Sequence, residues 1–225
     1  MESLMKNLIC LFSLVLLISC HQEQKTNVGS KDSVAVDTES KATSGSKLQE
    51  SFVTPHSVAE IKEAYAITID KMSKGQLDSV SFKYNCQEER SGTVTYFSEK
   101  GVLRIIRHQY NEYDHHEATD QYFLNNDRTL FFAHLNRLSW SFDSVVGKDG
   151  ATKDDIREQR IYIADKHAIQ CLEKRFTTRS QAKDNPTSAS VANKQVACKP
   201  IKPLLKDFQQ LLNFKNKEDH SCLYE

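Results

Sequence analysis

The chain has 225 residues, and its 30 lysines and arginines are balanced by 30 aspartates and glutamates, so its formal net charge is zero. That balance excludes the basic field that would hold nucleic acid by its phosphates, and no acidic field takes its place. The seven glycines are scattered and form neither a Gly-x-Ser-x-Gly elbow nor a glycine-rich loop, which excludes the common serine-hydrolase and nucleotide-binding motifs.

The first element in chain order is a leader. Lys6 and the amino terminus precede an apolar run from Leu8 to Ile18, the layout of a secretory signal. The run is shorter than the roughly 20 apolar residues a membrane-spanning helix needs. It ends in Leu17-Ile18-Ser19-Cys20, which resembles the lipobox of bacterial lipoproteins, where the cysteine thiol is acylated before the chain is cut on its amino side. The resemblance implies a signal peptide at residues 1–19, a mature chain that begins at lipidated Cys20, and attachment to a membrane through that N-terminal lipid. His21 stands where an Asp would retain an enteric lipoprotein at the inner membrane. By that rule the outer membrane of the cell envelope is favoured, and a periplasmic or a surface-facing domain both fit.

Residues 20–54 are polar, with few large apolar side chains. Such a segment cannot bury enough surface to offset chain entropy, so it reads as a disordered tether. Residues 55–225 then form a single globular domain of ordinary size. Four cysteines fall in it, Cys86, Cys171, Cys198 and Cys222, and in an exported chain an even number suggests disulfides, here with three connectivities open. The pairing expected is Cys171 with Cys198, closing a polar loop, and Cys86 with Cys222, pinning the carboxyl terminus. No pair has the close C-x₂₋₄-C spacing of a zinc site.

Ser57-x-x-Glu60 is a capping-box pair, and Val58, Ile61, Tyr65, Ile69 and Met72 behind it recur at helical spacing up to Gly75. From Leu77 to about Lys174 the period becomes alternating. Three stretches share one pattern, an aromatic-bearing strand, a short polar turn and a second apolar strand: Thr95-Tyr96-Phe97 to Gly101-Val102-Leu103, Gln121-Tyr122-Phe123 to Arg128-Thr129-Leu130, and Ile161-Tyr162-Ile163 to His167-Ala168-Ile169. Each reads as a hairpin. Gly75, Gly92 and Gly101 fit element ends.

Leu130 to Leu135 is apolar on both faces, which predicts a central strand covered twice, with a shared binding surface as the alternative. Leu138, Trp140 and Phe142 alternate with Ser139, Ser141 and Asp143, which predicts one core side and one wet side. Thr177 to Val196 is polar and reads as a surface loop. Pro203 opens a last helix with a stripe of Leu204, Leu205, Phe208, Leu211 and Leu212. The fold class expected is α+β, an antiparallel β-meander of about seven or eight strands with an N-terminal and a C-terminal helix packed on it. With its three aromatic hairpins and its lipobox, the chain resembles small lipoproteins of the Bacteroidota. That likeness implies a fold type and an address, and it assigns no activity, cofactor or catalytic residue.

The chemistry on offer is sparse. Tyr113-Asp114-His115-His116-Glu117, with His108 before it and His134 on a later strand, is the densest cluster of potential ligands. His115, His116 and Glu117 can meet at a metal only from a turn, because neighbours in a strand face opposite sides; a solvated hairpin loop is the competing reading. The acids between Asp143 and Asp155 do not match a calcium loop. Glu88-Glu89 and Asp154-Asp155 are expected in polar turns, without the geometry of a glycosidase pair. No cofactor is expected. The leading functional expectation is a membrane-anchored envelope module that binds an envelope protein, a peptide or a glycan, or acts structurally. The alternative is a metal-dependent or hydrolytic envelope enzyme built on the His108–Glu117 region. The two differ in whether His108, His115, His116 and His134 converge on one pocket.

Overall fold

The computed structural model describes residues 53–224, apart from residue 88 and residues 145–148. The leader, Cys20 and residues 21–52 of the tether lie outside the described residues, as does Glu88.

Helix α1 (Val58–Ser73) starts as its residues dictate. The Ser57 hydroxyl accepts from the Glu60 amide and the Glu60 carboxylate accepts from the Ser57 amide, which satisfies two donors that a helix start leaves open. Gly75 closes the following turn at φ 67. Eight strands then run in order and antiparallel: β1 (Asp78–Cys86), β2 (Arg90–Glu99), β3 (Val102–Glu112), β4 (His116–Leu124), β5 (Leu130–Phe142), β6 (Thr152–Ala164), β7 (His167–Arg179) and β8 (Lys194–Gln195). Helix α2 (Lys202–Phe214) follows the sheet but does not end the chain. Among the described residues, no helix is long and apolar enough to cross a membrane.

The three expected hairpins are β2–β3, β4–β5 and β6–β7. Lys100-Gly101 (φ 50 and 81) and Asp165-Lys166 (φ 50 and 63) are two-residue loops with both residues at positive φ, the mirror-image turns whose twist matches that of paired strands. Each hairpin carries one bulge next to its aromatic strand end, after Phe97, Phe123 and Tyr162. The bulge at Phe131 explains the doubly apolar run in β5. It lets the adjacent Phe131 and Phe132 both enter the core beneath α1, while Leu130, Ala133 and Leu135 enter the core beneath α2.

Register assigns every strand residue to a face, because directly paired residues share one side of a sheet. One face carries Tyr84, Val94, Tyr96, Ile106, Tyr110, Tyr122 and Leu135 against Phe208, Leu211 and Phe214 of α2. The other carries Ile105, Phe123, Phe132 and Tyr162 against Ile61 and Ala64 of α1. Past α2 the chain returns along the edge strand β1, where the Asn85 amide donates to the Ser221 carbonyl (2.8 Å), His220 stacks on Phe82 and Leu223 is buried. The tail thereby occupies part of an otherwise open sheet edge. Cys86–Cys222 locks it there, and Cys171–Cys198 locks the segment that leads into α2.

Four expectations are corrected. Leu138, Trp140 and Phe142 do share one side of β5, but that side is not core: Leu138 and Trp140 are half-buried and Phe142 is 70 % exposed. Neither of the apolar clusters beneath the two helices includes any of the three. Thr177–Val196 is not all loop, since β7 continues to Arg179 and β8 pairs at Leu172 and Glu173. Thr177 and Thr178 hydrogen-bond Asp155 and Asp154 across the β6–β7 ladder, so Asp154-Asp155 sits in a strand with its carboxylates on opposite faces, not in a turn. Gly92 lies inside β2 and not at its end. A side chain there would place its Cβ 2.5 Å from the Gln109 carbonyl oxygen and 2.8 Å from the Tyr84 hydroxyl. Gly92→Ala is therefore expected to cost about 1–3 kcal/mol of stability, as overpacking does; urea unfolding checks it, and an unchanged midpoint would show that the strand yields freely.

Candidate functional site

The half of the α1-side face that α1 leaves uncovered forms a groove of about 970 Å³. Two ladder rows build its floor. Lys83, Thr93, Gln109, Thr119 and Asn136 pair across β1 to β5, and Asn85, Ser91, Asn111, Glu117, Leu138 and Ile156 pair across β1 to β6. A solvated sheet face ordinarily carries charged side chains. Here most of the floor is amide and hydroxyl, groups that both donate and accept hydrogen bonds, and Lys83 and Glu117 are its charged residues among those described. Leu138 and Ile156 make an apolar shelf at one side. Trp140 continues the shelf's face of β5; its indole N–H donates to the Asp114 carbonyl and its ring packs 4.0 Å from that of His115.

The histidines do not converge. His115 lies in the β3–β4 turn against Trp140, and His116 opens β4, sharing a 3.0 Å hydrogen bond with Ser139. Glu117 follows it on the opposite face, because strand neighbours alternate. His134 is on the α1-side face, 3.7 Å from Glu158, and its pKa is lowered, chiefly by burial. His108 is on the α2-side face, 2 % exposed, and shares a 2.7 Å hydrogen bond with the Tyr84 hydroxyl. Burial, helped by Arg90 and Arg137, pushes its pKa down to about 3. Among the described residues no group of three or more His, Cys, Asp or Glu side chains is placed to hold a metal ion.

Around His108 lies a polar network, buried at Asp120 and half-buried at Arg90 and Glu112. The Arg90 guanidinium is sandwiched between the rings of Tyr110 and Tyr224, at 4.0 and 4.1 Å, and pairs with Glu112. Asp120, 3 % exposed, accepts from Arg137 at 2.9 Å. Burial raises its pKa to about 6 even so, because Arg137 and Arg90 offset only part of the desolvation. On the α1-side face, Lys174 pairs with Glu158 at 3.3 Å and donates to the carbonyl and hydroxyl of Ser188, pinning the short 3₁₀ turn Ser188–Ser190. Burial disfavours the Glu158 charge, but Ser188 and Lys174 hold its pKa below the usual glutamate value.

Along the chain the histidine cluster stands out and the groove does not. Its residues lie on five or more strands, and the signal was diffuse: Thr93, Gln109, Asn111 and Thr119 are neutral polar residues at positions where lysine or glutamate is the ordinary choice. No known family model, curated protein or solved structure matches the chain.

Proposed function

We propose that this protein is a lipoprotein of the cell envelope, anchored through Cys20, that binds rather than transforms its ligand, and that the groove takes a neutral oligosaccharide. The observation that carries the reading is the floor itself, a concave carpet of amides and hydroxyls beside an apolar shelf. Sugar hydroxyls are paired donors and acceptors, and sugar rings offer C–H faces to apolar side chains, so both parts of the surface have a use. Histidines divided between the two faces give the alternative enzyme reading no convergent trio. The anchor rests on the Leu17-Ile18-Ser19-Cys20 resemblance; metabolic labelling with palmitate should mark the wild-type chain and not Cys20→Ser.

The ligand is tested with an array of neutral oligosaccharides that includes maltoheptaose and chitohexaose. Binding is expected, and Gln109→Ala with Asn111→Ala, both at exposed positions, should weaken it about tenfold through two lost hydrogen bonds. An array on which nothing binds, or binding indifferent to the double variant, would reject the oligosaccharide.

A further inference from the structure

A second cavity lies on the opposite face of the sheet, beyond α2, with a volume of about 530 Å³. Its floor is the α2-side face of β4 to β7, including Leu135 and Ile161, and its roof is the stretch from Val196 to Leu204. Two bonds hold the roof down, the Val196 amide to the Cys171 carbonyl (3.0 Å) and the Cys171–Cys198 disulfide. The volume falls in the range of ordinary small-ligand sites, about 300–1,000 Å³.

One border of this apolar chamber is cationic in a way that the sheet itself disfavours. Arg137, Arg157 and Arg175 are directly paired on three adjacent strands, and like charges opposite one another weaken a ladder. The protein supplies partial compensation. Arg137 pairs with Asp120, while Arg157 and Arg175 share the single carboxylate of Glu173, at 2.5 and 2.6 Å. Lys199 of the roof and Asp207 of α2 also line the cavity. Four cations thus face three carboxylates, which leaves one positive charge over. Guanidinium groups present planar forks that match carboxylate and phosphate oxygens, and two of the three here have only one carboxylate between them.

We infer that this cavity is a binding site for a single-chain amphiphile with an anionic head, the chain lying between Leu135, Ile161 and the roof and the head meeting the arginine row. The inference is independent of the oligosaccharide reading, since the two sites lie on opposite faces. A fatty-acid carboxylate and a lysophospholipid phosphate offer the same chemistry to the row.

The test is calorimetric titration of the full chain carrying Cys20→Ser, so that no anchor lipid competes. The probes are dodecanoate, lysophosphatidylglycerol, dodecanol and dodecyltrimethylammonium. One or both anions should bind at least about tenfold more tightly than the neutral and cationic probes, the worth of a charge-assisted hydrogen bond. Tighter dodecanoate assigns a free fatty acid, and tighter lysophosphatidylglycerol assigns a lipid head. Arg157→Gln should weaken binding by a similar factor. Arg175→Gln, at a side chain that is 65 % exposed, should do the same while leaving the melting temperature in place. Failure of both anions to bind, equal binding of the cationic probe, or unchanged affinity in both arginine variants would overturn the inference.

Discussion

Replacing Cys86 and Cys222 with alanine is expected to lower the unfolding free energy by about 4–5 kcal/mol, because a cross-link between distant residues removes much of the unfolded chain's freedom. The two cysteines are 136 residues apart, against 27 for Cys171–Cys198, so removing the second bridge should cost less, about 3–4 kcal/mol. The native state adds a structural consequence. The Cys86–Cys222 bridge holds Leu223 in the core, His220 on Phe82 and Tyr224 on Arg90. Without it the tail docks only through those contacts, and β1 loses the carbonyl of Ser221 at its edge. Urea unfolding of the oxidised wild type and the double variant measures the difference. A loss below about 1 kcal/mol would mean that the tail holds its place without the bond and that the unfolded chain gains little freedom from its removal.

The second large effect concerns pH, where two buried groups oppose each other. His108 has a folded pKa of about 3 against an ordinary 6.5, with burial as the main cause. Its contribution is complete above pH 6.5 and is lost as pH falls toward 3, because the unfolded chain takes up a proton that the folded protein refuses. Asp120 behaves in reverse. Its folded pKa is raised by burial to about 6 against an ordinary 3.8, so its contribution is complete below 3.8 and is lost as pH rises through 6. Between pH 6 and 4 the two slopes, each about 1.4 kcal/mol per pH unit, cancel.

Asp120→Asn should unmask the histidine, so that over those two pH units stability falls by about 3 kcal/mol relative to wild type. His108→Gln should unmask the aspartate and give the opposite drift. Carboxylates such as Glu99 and Glu173, whose pKa values ion pairs and hydrogen bonds hold low against the opposing cost of burial, destabilise all three proteins alike on acidification. The reading is therefore the difference between proteins in denaturant unfolding at each pH. Parallel curves for wild type and Asp120→Asn would show that Asp120 titrates as an ordinary surface carboxylate.

Much of the fold was legible along the chain. The capping pair Ser57 and Glu60, the three aromatic hairpins and the central strand at Leu130–Leu135 all emerge from short-range rules. Strand alternation has a period of two, turns obey local φ preferences, and a helix start needs hydrogen-bond acceptors within one turn. Two of the misreadings turn on what lies across the strand. Thr177-Thr178 and Asp154-Asp155 have the polarity of loops but pair with each other in the β6–β7 ladder. Leu138, Trp140 and Phe142 have the alternation of a buried strand, but burial depends on how far each helix reaches over the sheet. No local pattern contains that distance.

The candidate sites belong to the same category. Alternation by itself determined that His116 and Glu117 point apart and that Gln109 and Asn111 point the same way. Only the packed sheet decided that Arg137, Arg157 and Arg175 stand side by side, that His108 and His134 occupy opposite faces, and that α1 and α2 each leave part of a face open. The reason is physical. Side-chain direction within a strand follows from backbone geometry at each residue, whereas neighbourhood across strands follows from register, which turn lengths, bulges and the burial of whole faces settle together.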